Sequence, residues 1–293
     1  MPLTVTYREI ENVKFEYPFR MIISGSSQSG KTSFAKKLLE NDLFDGELKN
    51  ILYCYPEYLS ETPVEWHEDL VLPVTYQTGL PTLNELCTLE PDTVIVLDDL
   101  YEECITAKQM DYLFRVLSGK KRLSVIIMTQ RFFAQGRYAM NIRNCCNFTV
   151  LMRNADERLN YRIAYLFKST SAINKIIDTE FSKEGYPYIF VDSSPRGQIT
   201  GNRLYTNIFA TFMEVYDRSG MKGFIIREKD FHDNFTIINN NTAKRNGRDT
   251  KRKLSTSDTE TESAGERVKS DFAKKICERT KRLRKSRLGT NLQ

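Results

Sequence analysis

Gly25-Ser26-Ser27-Gln28-Ser29-Gly30-Lys31-Thr32 decides how this chain is read. It fits G-x-x-x-x-G-K-[ST], the phosphate-cradling P-loop, at every fixed position. The run ahead of it, Phe19-Arg20-Met21-Ile22-Ile23-Ser24, has the length and apolar character of a buried strand. Behind it, Thr32 to Glu40 carries apolar side chains at positions 34, 35, 38 and 39, a helical period. A Gly/Ser-rich loop matching by chance would have no reason to sit between that strand and that helix. The order also has a chemical reason. Glycines let backbone N–H groups turn towards a phosphate, and the helix N-terminus adds the positive end of its dipole. Gly25 to Thr32, with Ser33 beside them, are therefore the candidate nucleotide-binding residues. Lys31 is expected to bridge the β- and γ-phosphates, and the Thr32 hydroxyl to bind Mg2+.

Outward from this loop, the pattern repeats. Asn50-Ile51-Leu52-Tyr53-Cys54-Tyr55 reads as a second strand closed by Pro56, and Val74 to Gln77 as a short strand at most. Thr93-Val94-Ile95-Val96-Leu97 leads into Asp98-Asp99, and Leu123-Ser124-Val125-Ile126-Ile127-Met128-Thr129 into Gln130. Phe148 to Arg153 is a fifth strand. Helices are expected at Lys108–Ser118, Asp156–Phe167 and Ala172–Phe181, with a segment of undecided shape over Phe132–Asn144. Strands alternating with helices give an α/β fold with a mainly parallel central sheet. Tyr186–Asp192 and Arg203–Phe209 are expected to extend its edge, Phe224–Arg227 is a weaker strand, and residues 1–18 hold one or two more.

The carboxylates after the fourth apolar run carry the next piece of chemistry. Asp98 falls where a strand-end acid would hold Mg2+, and Asp99 where a second carboxylate could orient and deprotonate an attacking water. Gln130 closes a neighbouring strand, where an amide could contact the γ-phosphate or that water. Polar residues commonly end strands, and two acids can be strand capping. The succession of P-loop, acid pair and amide-ended strand along one chain is what gives these residues weight. Glu102 and Glu103 are fallback bases.

Composition bounds the rest. The 293 residues are 40% hydrophobic and 28% charged, ordinary for a globular protein, and no apolar run approaches a membrane span. The N-terminus lacks the basic and apolar regions of a secretory signal, so the chain is not expected to be secreted. Six scattered cysteines, with only His67 and His232 beside them, support neither a disulfide framework nor a zinc site. Charge is unevenly spread. Residues 240–293 hold 16 Lys and Arg against 7 Asp and Glu, so with a net +5 overall the body is mildly acidic. Residues 1–238 are therefore read as a P-loop ATPase domain, and 239–293 as a basic, largely disordered tail with a short helix over 271–288. Its Lys/Arg clusters suit nuclear import or phosphate contacts.

The set GSSQSGKT, TVIVLDDL and LSVIIMTQ, followed by RFFAQGRYAMNIRN, FTVLMRNADE and YPYIFVDSSP…RLYTNIF, resembles the genome-packaging ATPases of the FtsK–HerA superfamily. Its nearest look is to those of Polinton/Maverick elements and adintoviruses, with the poxvirus packaging ATPase more distant. The resemblance covers about Phe15 to Phe209. It implies a RecA-like ASCE P-loop fold and a homo-oligomeric ring, pentamer or hexamer, that drives double-stranded DNA into a capsid with ATP. A capsid vertex or capsid protein would be a partner, and the host nucleus or a virus assembly site the location. Carried over by position, Lys31 and Thr32 bind nucleotide and Mg2+, Asp98 is the Walker B acid, Asp99 the catalytic acid and Gln130 the sensor.

One departure concerns catalysis between subunits. Relatives commonly place an arginine, thought to reach the next subunit's nucleotide, where this chain has Met140. Arg137 and Arg143 lie three residues to either side, and on a helix either could project from a similar face. Arg143 is the first choice, because residues 141–144 run directly into the fifth strand. Relatives also often have histidines where Lys120 and Lys121 stand. Two other classes fit a P-loop: a kinase phosphorylating a small acceptor, and a scaffold that holds nucleotide with little hydrolysis.

Overall fold

A computed structural model describes residues 14–41, 43–57, 70–154, 156–165, 170–195, 204–210, 212–216 and 222–226. The expectations for residues 1–13, for Trp66 and His67, and for the basic tail fall outside them.

The strand ahead of the P-loop, β1 (Arg20–Ser24), forms because three consecutive aliphatic residues must be covered on both faces. The sheet does this with β2 (Asn50–Tyr55), β3 (Val74–Thr78), β4 (Thr93–Asp98), β5 (Ser124–Thr129), β6 (Phe148–Met152), β7 (Tyr188–Asp192), β8 (Leu204–Thr206), β9 (Phe212–Tyr216) and β10 (Lys222–Ile226). Their order is β10-β9-β8-β7-β6-β1-β5-β4-β2-β3. The pairs from β3 across to β6 are parallel, and those from β6 to β10 are antiparallel. β1 therefore sits between two strands from later in the chain, with Met21 opposite both Ile126 and Phe148.

Alternate residues of the sheet feed two cores. Met21 and Ile23 share one face with Val96, Ile126 and Met128, and α1 (Lys31–Glu40) covers them with Phe34, Ala35, Leu38 and Leu39. Ile22 faces the other way with Ile95, Val125 and Ile127. That side is covered by α2 (Leu83–Thr88), α3 (Tyr101–Cys104), α4 (Lys108–Tyr112), α6 (Ala139–Cys145), α7 (Glu157–Tyr165) and α8 (Thr170–Phe181). Burial on both faces is why these strands read as unbroken apolar runs rather than alternating ones. The α1 helix stops where the Asn41 side-chain amide donates to the Lys37 carbonyl at 2.7 Å, taking one of its last acceptors.

Several elements depart from expectation. The segment after Lys108 is interrupted: α4 passes into a π-helical turn, Leu113–Leu117, before α5 (Ser118–Lys121). The undecided stretch around 132–144 becomes helical only at Ala139. The strand expected over Arg203–Phe209 ends at Thr206 because Asn207 takes a left-handed φ of 55° and turns the chain into β9. Asn tolerates that region better than most residues. At the opposite edge, α2 was not expected. Its start is a capping box in which the Glu85 N–H donates to Thr82 and the Thr82 N–H to Glu85.

Candidate nucleotide-binding site

Parallel pairing puts the C-terminal ends of β1, β4, β5 and β6 on one edge of the sheet, and this gathers residues far apart in sequence. Topological crossing at β1, with β5 on one side and β6 on the other, opens a crevice there. The P-loop occupies it, anchored on both sides. The Gly25 N–H donates to the Thr129 carbonyl at 3.1 Å, and the Ser26 N–H to the Arg153 carbonyl at 3.3 Å.

Both motif glycines are required by contacts. A Cβ on Gly25 would lie 2.4 Å from Ser29 Oγ and 2.8 Å from Met152 Cβ. Gly30 has φ 91°, a left-handed conformation that ordinary residues adopt at a cost. Gln28, also left-handed at φ 59°, curls the loop further, and such alternation of handedness turns successive N–H groups inward. The α1 N-terminus has no side-chain cap and no acidic residue in its first turn, so its dipole end faces the loop unopposed by a carboxylate of its own. Ser27, Gln28 and Ser33 are exposed, and Ser26, Ser29, Lys31 and Thr32 half-buried.

Lys31 lies back across the loop, its ammonium donating to the carbonyls of Gly25 at 3.0 Å and Ser26 at 2.7 Å. Burial holds its pKa below the usual lysine range, while the nearby charges of Asp98 and Asp99 pull it the other way. Asp98 at the end of β4 and Asp99 just after it thus lie within electrostatic reach of Lys31. Asp98 is half-buried, and burial raises its carboxyl pKa against the opposing bond from Tyr53. That bond, Tyr53 Oη to Asp98 Oδ2 at 2.5 Å, comes from the adjacent strand β2. Tyr53 is fully buried, and burial together with the carboxylate beside it pushes its phenol well above the ordinary range. Asp99 is exposed, at φ 54°. Gln130 follows β5 and is exposed at the same edge. Thr32 and Asp98 supply hard oxygen donors of the kind Mg2+ takes alongside water and phosphate oxygens. Among the described residues no group of three or more His, Cys, Asp and Glu could hold a metal alone.

The candidate bases and arginines are differently placed. Glu102 pairs with Arg131 at 2.7 Å, both exposed. Arg143 is half-buried and donates to the Tyr101 hydroxyl and to the Phe132 carbonyl, each at 3.3 Å. Arg137 is exposed, its guanidinium 5.4 Å from the Tyr138 ring centroid, and Met140 is 66% exposed. Lys121 is tied to the Leu89 carbonyl at 2.8 Å and to that of Cys87. Sequence reasoning passed over Tyr53, whose one signal is a pair of tyrosines, Tyr53 and Tyr55, in a largely apolar strand. It also passed over Arg153, whose guanidinium donates to the Phe181 and Lys183 carbonyls, both at 2.7 Å. No helix of the described residues is long and apolar enough to cross a membrane.

No family model and no curated protein matches this sequence. Solved structures with a similar fold include the genome packaging NTPase B204 from Sulfolobus turreted icosahedral virus 2 in complex with sulfate. It has 14% identity and a TM-score of 0.41, over 60% of this chain and 91% of that one. B204, the DNA-packaging ATPase from Sulfolobus Turreted Icosahedral Virus, gives 12%, 0.41, 60% and 92%. Thermomonospora curvata EccC (ATPases 2 and 3), in complex with a signal sequence peptide, gives 11%, 0.31, 47% and 30%. At such identities and TM-scores the function of this chain has to come from its own residues.

Proposed function

We propose that this chain is an ATP-hydrolysing motor that translocates double-stranded DNA into a viral or virus-like capsid, working as a ring of five or six copies. The observation that carries the hydrolase reading is that Asp98 and Asp99, at the end of another strand, lie within electrostatic reach of Lys31 where it crosses the P-loop. A phosphate-binding loop alone would serve a kinase or a passive scaffold equally well. An acid pair within electrostatic reach of that lysine adds the carboxylates that metal binding and water activation call for.

In this reading the loop N–H groups and the α1 N-terminus hold the β-phosphate, and Lys31 leaves its carbonyl partners for the β- and γ-phosphates. Thr32 and Asp98 would hold Mg2+, which when bound would supply positive charge beside the phosphate oxygens. Tyr53 fixes the Asp98 carboxylate. Asp99 accepts a proton from a water whose oxygen bonds to the γ-phosphorus as the bond to the β–γ bridging oxygen breaks, leaving ADP and phosphate. Gln130 orients that water or the γ-phosphate. A cation from the neighbouring copy, Arg143 or Arg137, stabilises the developing charge. Arg143 is preorganised by its two contacts, whereas Arg137 is the more exposed.

The DNA and capsid parts rest on the motif set from Phe15 to Phe209, and the Polinton/Maverick-type assignment on the same residues. The basic tail supports contact with DNA phosphates or import into a nucleus. The test is phosphate release by the purified chain with and without double-stranded DNA. Stimulation by DNA is expected; turnover only with a small phosphate acceptor would mean a kinase, and ATP binding without turnover a scaffold.

A further inference from the structure

We propose that Tyr186 is the stacking platform for the nucleotide's base, an inference that rests on the nucleotide site above and assigns its other end. The sheet order gives the direction. Asp98 ends β4 and Asp99 follows it, on the β5 side of β1, so the γ-phosphate end of a bound nucleotide points that way. The nucleoside must then leave the P-loop towards β6 and β7. Because β7 runs antiparallel to β6, its N-terminal end returns to the P-loop edge, and the turn carrying Tyr186 precedes it.

Contacts fix that turn against the loop. The Cβ, Cγ and Cδ1 atoms of Tyr186 lie 3.2–3.3 Å from the point a Cβ on Gly30 would occupy. The absence of a side chain at Gly30 thus lets an aromatic ring rest on the backbone where the P-loop enters α1. Yet Tyr186 is 70% exposed, so most of its surface is open beside the loop. Gly185, at φ 83°, makes the bend that presents it. Arg153 ties the two regions together: its carbonyl accepts from Ser26 of the P-loop, and its guanidinium holds the Phe181 and Lys183 carbonyls at the end of α8. A positive group at a helix C-terminus is itself favourable. The turn that carries the ring is therefore tied to the P-loop, and the ring's open surface suits a flat, apolar group with π character. Every nucleobase qualifies, and stacking of this kind is tolerant of base identity. The platform accordingly secures nucleotides without discriminating strongly among their bases.

The experiment measures calorimetric binding of ADP and of pyrophosphate, both with Mg2+, to the full chain. Lys31→Ala gives the baseline for polyanions held by the basic tail. Tyr186→Ala is expected to weaken ADP by about 5- to 150-fold, the range found for losing one base stack, and to leave pyrophosphate unchanged within about twofold. Tyr186→Trp should retain ADP, and its emission should change with ADP but not with pyrophosphate, the parent's Trp66 serving as reference. Unchanged ADP affinity in Tyr186→Ala overturns the platform. So does an equal loss of ADP and pyrophosphate, which would mean that the ring only props up the loop. A parent chain that binds neither ligand above the Lys31→Ala baseline refutes the nucleotide site itself.

Discussion

Asp99 offers a way to separate chemistry from folding, because its backbone and its carboxylate make different demands. Its φ of 54° is in the left-handed region, where Asp and Asn are tolerated and Ala is not. The side chain is exposed, so replacing it removes little packing. Asp99→Asn keeps shape and conformational tolerance but removes the base. Its stability should match the parent within about 0.5 kcal/mol. Turnover should fall by roughly 10²- to 10⁴-fold, or about 2.7–5.4 kcal/mol in barrier height. Asp99→Ala should lose as much activity and in addition about 1–2 kcal/mol of stability from the unfavourable φ. For a domain of this size that is roughly 2–8 °C in melting temperature. The assays are steady-state phosphate release, ADP binding and a thermal melt of each variant. Parent-like turnover in Asp99→Asn would move the base to Glu102 or Glu103. Equal melting temperatures for the two variants would refute the strain reasoning, whatever the activity.

Tyr53→Phe removes the 2.5 Å bond to Asp98, whose effect is to lower the pKa of that carboxyl against the effect of burial. The carboxyl should then ionise only at higher pH, so the Mg2+ requirement should rise most at acidic pH and recover as pH increases; superimposable Mg2+ titrations at pH 6 and 8 would count against it. Mixing Arg143→Ala with Asp99→Asn subunits, each inactive alone, should restore part of the activity if Arg143 acts in trans, and the same test on Arg137→Ala decides between the two. Deleting residues 240–293 should leave the thermal melt of the core in place while DNA affinity falls and its salt dependence flattens; equal salt slopes would assign the tail to localisation or a protein partner. Burial would raise the Asp92 carboxyl, but bonds from Arg122, Lys49 and Tyr17 outweigh it and hold it below the usual range. A depressed carboxyl contributes stability above its unfolded pKa, about 3.9, and loses it as pH falls through the folded value. Asp92→Asn should therefore be less stable than the parent at pH 7, with the gap closing below about pH 4; a constant gap in urea melts would contradict this.

How much of this was readable along the chain depended on whether the signal was local. The P-loop, its strand and its helix are contiguous, so Gly25 to Leu39 could be read directly. The runs at 93–98 and 124–129 declared themselves as parallel strands through burial on both faces. What reading along the chain could not supply was neighbourhood. Tyr53 matters because β2 lies beside β4, and Tyr186 because β7 returns antiparallel beside β6. Neither pairing has a marker in its own segment. The α2 helix was legible in principle, since Thr82 and Glu85 spell a capping box, but its six residues carry too short an apolar period to stand out. The π-helical turn at Leu113–Leu117 keeps a helical composition, and only the hydrogen-bond register distinguishes it.

The placement of β1 between β5 and β6 also governs how the molecule is made. Arg20 needs Val125, and Met21 needs Phe148, before either edge of the strand is satisfied. At translation rates of roughly 5–20 residues per second, the first of these partners emerges on the order of 5–20 s after Arg20. Until then Met21-Ile22-Ile23 is an apolar run with two open edges, a template for wrong pairing between nascent chains. The long sequence separation also makes correct closure slow by its loop entropy. The phosphate loop, which leaves the ribosome before both strands that flank β1, is thus locked in shape only after they have been made. Yield of active protein should accordingly be governed more by the growth temperature and chaperone supply during synthesis than by the stability of the finished fold.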